Sequence, residues 1–187
     1  MKTAPPKAGG LGRRILAALR PDEVAAGVWE VDLDGLVARG IRGVMVDLDN
    51  TLVEWNREQI PPAIAAWLER AHARGLRICL LSNARQRRRL DRIAAAAGAS
   101  SVVRAGKPWP RAYRLGLAHL GTTREQTAMI GDQVFTDILG ANWAGLYTIL
   151  VKPISRRDFP ATKLARLLEC PLRRRWEEGE SSKGGSR

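Results

Sequence analysis

Asp47 and Asp49 stand one residue apart at the end of the apolar run Gly43–Leu48 (GVMVDL), which has the length of a short buried strand. In an extended chain, positions i and i+2 point to the same side, so both carboxylates face one spot. Three more apolar runs end in reactive side chains. LRICLL runs into Ser82-Asn83, a short run precedes Gly106-Lys107-Pro108, and TAMI runs into Gly131-Asp132. Asp137 follows about one and a half helical turns later. Alone, each signal is weak. A DxD is often a solvated turn, a Ser-Asn pair is an ordinary helix cap, and Asp137 by itself reads as a surface residue. Together they gather acidic, hydroxyl and lysine groups at the ends of several strands. Clustered like charges repel unless a cation sits among them, which points to a hard divalent ion with oxygen ligands. A lysine on the opposite side suits a phosphoryl dianion.

The elements that must carry these residues alternate. Pro61–Arg74 has helix periodicity, with two prolines in its first turn and Gly75 past its end. Leu76–Leu81 is a second strand, Ala84–Ala97 a helix stopped by Gly98, and Ser101–Val103 a third strand. Trp109–Leu120 is a helix stopped by Gly121, Thr127–Ile130 a fourth strand, Val134–Ala144 a helix and Leu146–Val151 a fifth strand. This is an α/β pattern, a five-stranded, mostly parallel sheet with helices on both faces. Open sheets of this kind place their sites at the carboxyl ends of the strands. Upstream, Leu11–Arg20 forms a short helix ended by Pro21, and VWEVDLDGLVARG a second short segment closing at Gly40. Residues 161–176 read as a terminal helix with a basic end. The expected organisation is one domain over 11–176 with a catalytic core at about 41–152, and flexible tails at 1–10 and 177–187.

Bulk composition narrows the classes. The 187 residues are 45% apolar and 27% charged, which suits one domain with a real core and excludes disorder as the main state. No apolar run approaches the ~20 residues of a membrane span, and the first residues lack a secretory signal. Cys79 and Cys170 form no CxxC pattern and read as reduced thiols, so a cytoplasmic setting is expected. The net charge of +12 favours anionic partners without choosing among nucleic acid, an acidic membrane surface and phosphorylated substrates. No RNP, KH or helix-turn-helix pattern is present, so no specific nucleic acid is expected.

The order and spacing of VMVDLDNTL (44–52), LLSN (80–83), the lysine of GKP (106–108) and MIGDQVFTD (129–137) resemble the haloacid dehalogenase-like (HAD) phosphohydrolases. The flanks, DLDGLVARGIRG, GKPWPRAY and YTILVKPISRRDFPATKLARLLE, are similar to the YqeG family. That family belongs to the capless subfamily IIIA and is related to mitochondrial phosphatidylglycerophosphate phosphatase. The resemblance implies a HAD-like Rossmannoid fold and assigns roles. Asp47 would be the nucleophile, forming an aspartyl-phosphate, and Asp49 the general acid and then the base. Mg²⁺ would take the Asp47 carboxylate, the Asp49 backbone carbonyl and Asp132. Ser82 would bond the transferring phosphoryl group and Lys107 would neutralise charge on it and on Asp47. Asp137 would act behind these ligands or on a metal-bound water, Thr51 would cap or orient the turn that holds Asp49, and Asn50 and Asn83 read first as structural. The stretches from Asp49 to Ser82 and from Asn83 to Lys107 are each filled by core elements and leave no room for a cap domain. An open site suits a large or surface-embedded substrate.

The expected activity is therefore Mg²⁺-dependent phosphomonoester hydrolysis, with phosphatidylglycerophosphate, an anionic phospholipid, as the leading substrate. A soluble phosphorylated metabolite or nucleotide is the first alternative, and a basic protein associated with nucleic acid or ribosomes the second. Arg85, Arg88, Arg89 and Arg92 form a stripe opposite Leu90, Ile93 and Ala97, read as a solvated helix face, with Arg85 the best candidate for anion contact near Ser82. Trp55 and Trp109 could line the entrance or simply pack. His72 and His119 carry no metal pattern, and Cys79 reads as core. The basic amphipathic LGRRILAALR and the end Arg173–Arg175 with Trp176 suit either domain packing or peripheral membrane contact.

Overall fold

In the computed structural model, which describes residues 16–155 and Glu169, six strands form one sheet rather than the expected five. They are β1 (Glu23–Ala25), β2 (Gly43–Val46), β3 (Arg77–Leu81), β4 (Ser100–Val102), β5 (Thr127–Gly131) and β6 (Tyr147–Val151), in the spatial order β1-β6-β5-β2-β3-β4. Every neighbouring pair is parallel. The added strand, β1, has only three residues and no alternation to announce it. Its register is supplied by its partner, Glu23 opposite Ile149. The backbone N–H of Thr148 donates to the Asp22 carboxylate at 2.8 Å, fixing the entry to β1.

The helices are α1 (Leu33–Ala38), α2 (Pro62–Ala73), α3 (Arg87–Ala96), α4 (Pro110–Leu120) and α5 (Leu139–Ala144). Successive strand residues serve opposite faces, as a period of two requires. Val44, Val46, Ile78, Leu80 and Ile130 enter one core with Trp67 of α2 and Leu90 and Ile93 of α3. Met45, Cys79, Leu81 and Met129 enter the other with Ala112 and Tyr113 of α4 and Ala141 of α5. Both faces are covered, so the strands read as continuous apolar runs rather than alternating ones. Trp67 is fully buried and its indole N–H donates to the Val31 carbonyl at 3.1 Å, which ties α2 to the segment ahead of α1.

Two expected helices start late, both at the strand ends that bear chemistry. The helix expected from Ala84 starts at Arg87, because residues after β3 spend their polar groups on a loop. The helix expected from Val134 opens as a wide π turn, Val134–Ile138, before α5. Residues 16–19 are helical, with Leu19 buried and Leu16 exposed. The expected helical residues 11–15, most of 161–176 and both tails lie outside the described residues. No helix among the described residues is long and apolar enough to cross a membrane.

Candidate active site

The chain leaves β2 in one direction along the sheet, toward β3, and leaves β5 in the other, toward β6. The carboxyl ends of β2 and β5 therefore flank the point where strand order reverses, the usual crevice of an open α/β sheet. Asp47 follows β2, and its N–H donates to Ile130 of β5 at 2.9 Å. Asp132 follows β5 directly and is buried. Between β2 and β3 the chain holds a turn, a loop and α2, and between β3 and β4 only a loop and α3. No cap domain interrupts either stretch.

Lys107 reaches this point from the loop after β4. Asn83, at the end of β3, holds that loop. Its carbonyl oxygen accepts from the N–H groups of Gly106 (3.0 Å) and Lys107 (2.8 Å), and its amide donates to the Lys107 carbonyl (3.0 Å). Gly106 has a φ of +77°, a conformation L side chains rarely adopt, and the Lys107–Pro108 peptide is cis. The buried ammonium donates to Asp47 Oδ1 at 2.5 Å and to Asp137 Oδ1 at 2.7 Å. Asp137 Oδ2 accepts from the Gln133 N–H at 3.1 Å, across the π turn. Tyr113 clamps that turn from α4, donating to the Thr136 carbonyl at 2.6 Å. Gly131 admits the packing. A Cβ there would lie 2.4 Å from the Asp137 carboxyl carbon, so no larger residue fits without moving Asp137.

Burial dominates the electrostatics. It pushes the Asp47 carboxyl up to about 7 from 3.8, against the pull of Lys107 and with help from the charges of Asp137 and Asp49. Burial also raises Asp137, again against Lys107. For Lys107 burial works the other way, but the Asp137 and Asp47 carboxylates outweigh it and hold the ammonium charged well above the usual lysine range. Burial lifts the Tyr113 phenol far above its ordinary value, so at neutral pH it remains a donor. Oxygens of Asp47, Asp132 and Asp137 all lie within 4.8 Å of one another. Asp47 Oδ2 is buried and meets no hydrogen-bond partner among the described residues. Three carboxylates gathered against one lysine are the donor chemistry a hard divalent cation takes. Thr51 donates to Asp132 Oδ1 at 3.1 Å and orients it.

Asp49 turns to a different partner. Its carboxylate is 24% exposed and accepts both arms of the Arg89 guanidinium, at 2.8 and 3.3 Å, and the Asn56 N–H at 3.2 Å. The Arg89 side chain is only 7% exposed and donates also to the Arg57 carbonyl. This corrects the expected solvated stripe. Arg85 stands exposed in the bend before α3, and Arg88 and Arg92 are exposed, but Arg89 is inside. The missed signal was spacing, because Arg89 lies four residues before Ile93, on the edge of the buried face. Arg92 makes a surface pair with Glu58 at 2.5 Å.

Ser82 is buried at the end of β3, its hydroxyl accepting from the Ala84 N–H at 3.1 Å. Asn50 takes a φ of +64°, and its side chain accepts from Trp55 N–H and the Ser155 hydroxyl. The structure thus gathers Asp47, Lys107, Asp132 and Asp137, sets Thr51 on Asp132 and Asn83 on Lys107, and leaves Asp49 at the rim. Trp55 is half-buried and Trp109 is 68% exposed. His72 bonds the carbonyl of Ala97, which caps the end of α3, and His119 is exposed.

The haloacid dehalogenase-like hydrolase family model matches residues 12–145. The chain is 32% identical over 166 residues to "Probable phosphatase YqeG" of Bacillus subtilis (strain 168), covering 84% of this chain and 96% of that protein. It is 33% identical over 158 residues to "Phosphatidylglycerophosphate phosphatase 1, chloroplastic/mitochondrial" of Arabidopsis thaliana, covering 79% of this chain and 44% of that one. Among solved structures, an uncharacterized protein from Listeria monocytogenes serotype 4b superposes with a TM-score of 0.53 at 18% identity, over 64% of this chain and 85% of that one, a likeness of fold. The chain belongs to the haloacid dehalogenase-like hydrolases and is a YqeG-like phosphatase.

Proposed function

We propose that this phosphatase hydrolyses a phosphomonoester through a phosphorylated Asp47, with Mg²⁺ as its ion and phosphatidylglycerophosphate as its substrate. The observation that carries the chemistry is the state of Asp47, one oxygen pinned by Lys107 and the other buried without a hydrogen-bond partner among the described residues. That second oxygen attacks phosphorus. The bond from phosphorus to the alcohol oxygen breaks, its electron pair stays on that oxygen, and Asp49 supplies the proton. Asp49, now a carboxylate, takes a proton from water. The water oxygen attacks phosphorus and breaks its bond to Asp47, releasing phosphate and restoring both carboxyl groups. Lys107 stays charged throughout and faces the negative charge that develops on the transferring group. Asp47 and Asp132, with the Asp49 backbone carbonyl, would hold Mg²⁺, which when bound neutralises phosphoryl charge. Ser82 bonds a phosphoryl oxygen, Asp137 and Asn83 hold Lys107 in place, and Thr51 holds Asp132.

Support for the lipid substrate is of three kinds. Among the described residues no cap domain stands between β2 and β4, which suits a phosphate presented at a surface, and the Arabidopsis relative carries phosphatidylglycerophosphate in its name. The net charge of +12 suits an anionic membrane at the protein's surface. The test is phosphate release with Mg²⁺ from phosphatidylglycerophosphate in mixed micelles, beside an aryl phosphate and a nucleotide panel, with Asp47→Asn and EDTA as controls. Lipid-phosphate turnover lost in both controls is the expected result. Turnover confined to nucleotides or soluble metabolites overturns the lipid assignment and keeps the chemistry.

A further inference from the structure

We propose that Arg89 is the positioning residue for Asp49, holding the carboxylate where it can hand a proton to the leaving group and take one from water. The inference rests on the reading of Asp49 as the acid and base of the reaction. Its basis is a built guanidinium site on α3. Arg89 is the buried member of a run of otherwise exposed arginines. A buried guanidinium must have its donors met. Here they go to two places, the two Asp49 oxygens and the Arg57 carbonyl.

Both recipients belong to the segment that follows β2. The same segment supplies the Asn56 N–H to Asp49. Asp49 is therefore fixed from two directions, by a backbone amide of its own loop and by a side chain from the neighbouring crossover. A planar fork against a carboxylate fixes the plane of the group as well as its place, which an ammonium does not do. Proton transfer demands that kind of alignment, since a misplaced acid loses most of its benefit.

The experiment compares kcat/KM on an alkyl ester, phosphatidylglycerophosphate in mixed micelles, with kcat/KM on 2,4-dinitrophenyl phosphate, whose leaving group needs no proton. Asp49→Asn is the reference. It should lose ~10²–10⁴-fold on the alkyl ester and little on the dinitrophenyl ester. Arg89→Gln should show the same selectivity more weakly, a loss of roughly 30-fold against less than about 3-fold. Arg89→Lys should recover part of the loss, and the double variant with Asp49→Asn should be no worse than Asp49→Asn alone. Arg92→Gln, which removes the surface pair on the same helix, should show no selectivity. The dinitrophenyl arm also reports how much folded enzyme each variant retains, and Arg89→Lys carries the test should Arg89→Gln fail to fold. Equal losses on both esters in the Arg89 variants, beside a selective Asp49→Asn, overturn the positioning role. An unselective Asp49→Asn overturns the reading of Asp49 itself, and the positioning role with it.

Discussion

Asp47 and Asp49 are separated by one residue and live in opposite surroundings. Asp47 is buried against an ammonium that it shares with Asp137, and one of its oxygens meets no donor among the described residues. Asp49 is a quarter exposed and has both oxygens gripped by an arginine fork. A lysine is a compact charge that can serve two carboxylates at once and leave an oxygen of one unclaimed. An arginine takes a single carboxylate in both hands. The first arrangement suits a group that must form a bond, because an electron pair is left unspoken for. The second suits a group that must move protons from a fixed place and form no bond to phosphorus.

The contrast breaks first at Asp47. Asp47→Asn is expected to abolish phosphate release, a loss of at least ~10⁴-fold, with the fold intact by circular dichroism. Turnover within tenfold of wild type would end the covalent route. Lys107→Met removes the cation between Asp47 and Asp137. In metal-free protein at pH 8 it should cost ~3–5 kcal/mol of stability in urea melts, as leaving buried charges unpaired generally does. An unchanged midpoint would mean the ammonium is not what reconciles these carboxylates.

The pH dependence sharpens the comparison. A carboxyl lifted from 3.8 to about 7 keeps its proton in the folded state after the unfolded chain has released it. Stability from this group is whole below about pH 4 and declines as pH rises to about 7, on the order of 2–4 kcal/mol in all. In EDTA, Asp47→Asn should therefore match wild type near pH 4–5 and exceed it at pH 8, and Mg²⁺ should raise the melting temperature of wild type far more than that of the variant. A variant no more stable than wild type at pH 8 contradicts the raised Asp47 carboxyl. The smallest effect belongs to the surface. Arg92→Gln breaks an exposed pair and should leave the melting temperature unchanged within error, a contrast to the buried Arg89 on the same helix.

What could be read in the sequence follows from what each residue asks of its neighbours. Asp47, Asp132 and Lys107 end short apolar runs or follow them closely, so strand pattern alone set them at one edge of the sheet. β1 was invisible, since three residues carry no period and its pairing exists only once β6 is in place. The π turn was read as ordinary helix because Val134–Ala144 stands between two strand runs, where the alternation calls for a helix; the wider winding shows only in the backbone, where the Ile138 N–H donates to the Gln133 carbonyl at 3.3 Å. Arg89 was lost for the opposite reason. Its type argues for solvent, and its burial depends on Asp49 and the Arg57 carbonyl, which lie 40 and 32 residues away in the chain.

The order of the sheet also grades how often each part of it opens. β1 and β4, three residues each, are the two edges, whereas β2 and β5 are paired on both sides. Amide hydrogens should exchange fastest from the edges and slowest from β2 and β5, whose opening approaches global unfolding. The two aspartates that hang directly from those central strands ride on the last part of the sheet to let go. Fraying at either edge can come and go many times without disturbing the distance between them.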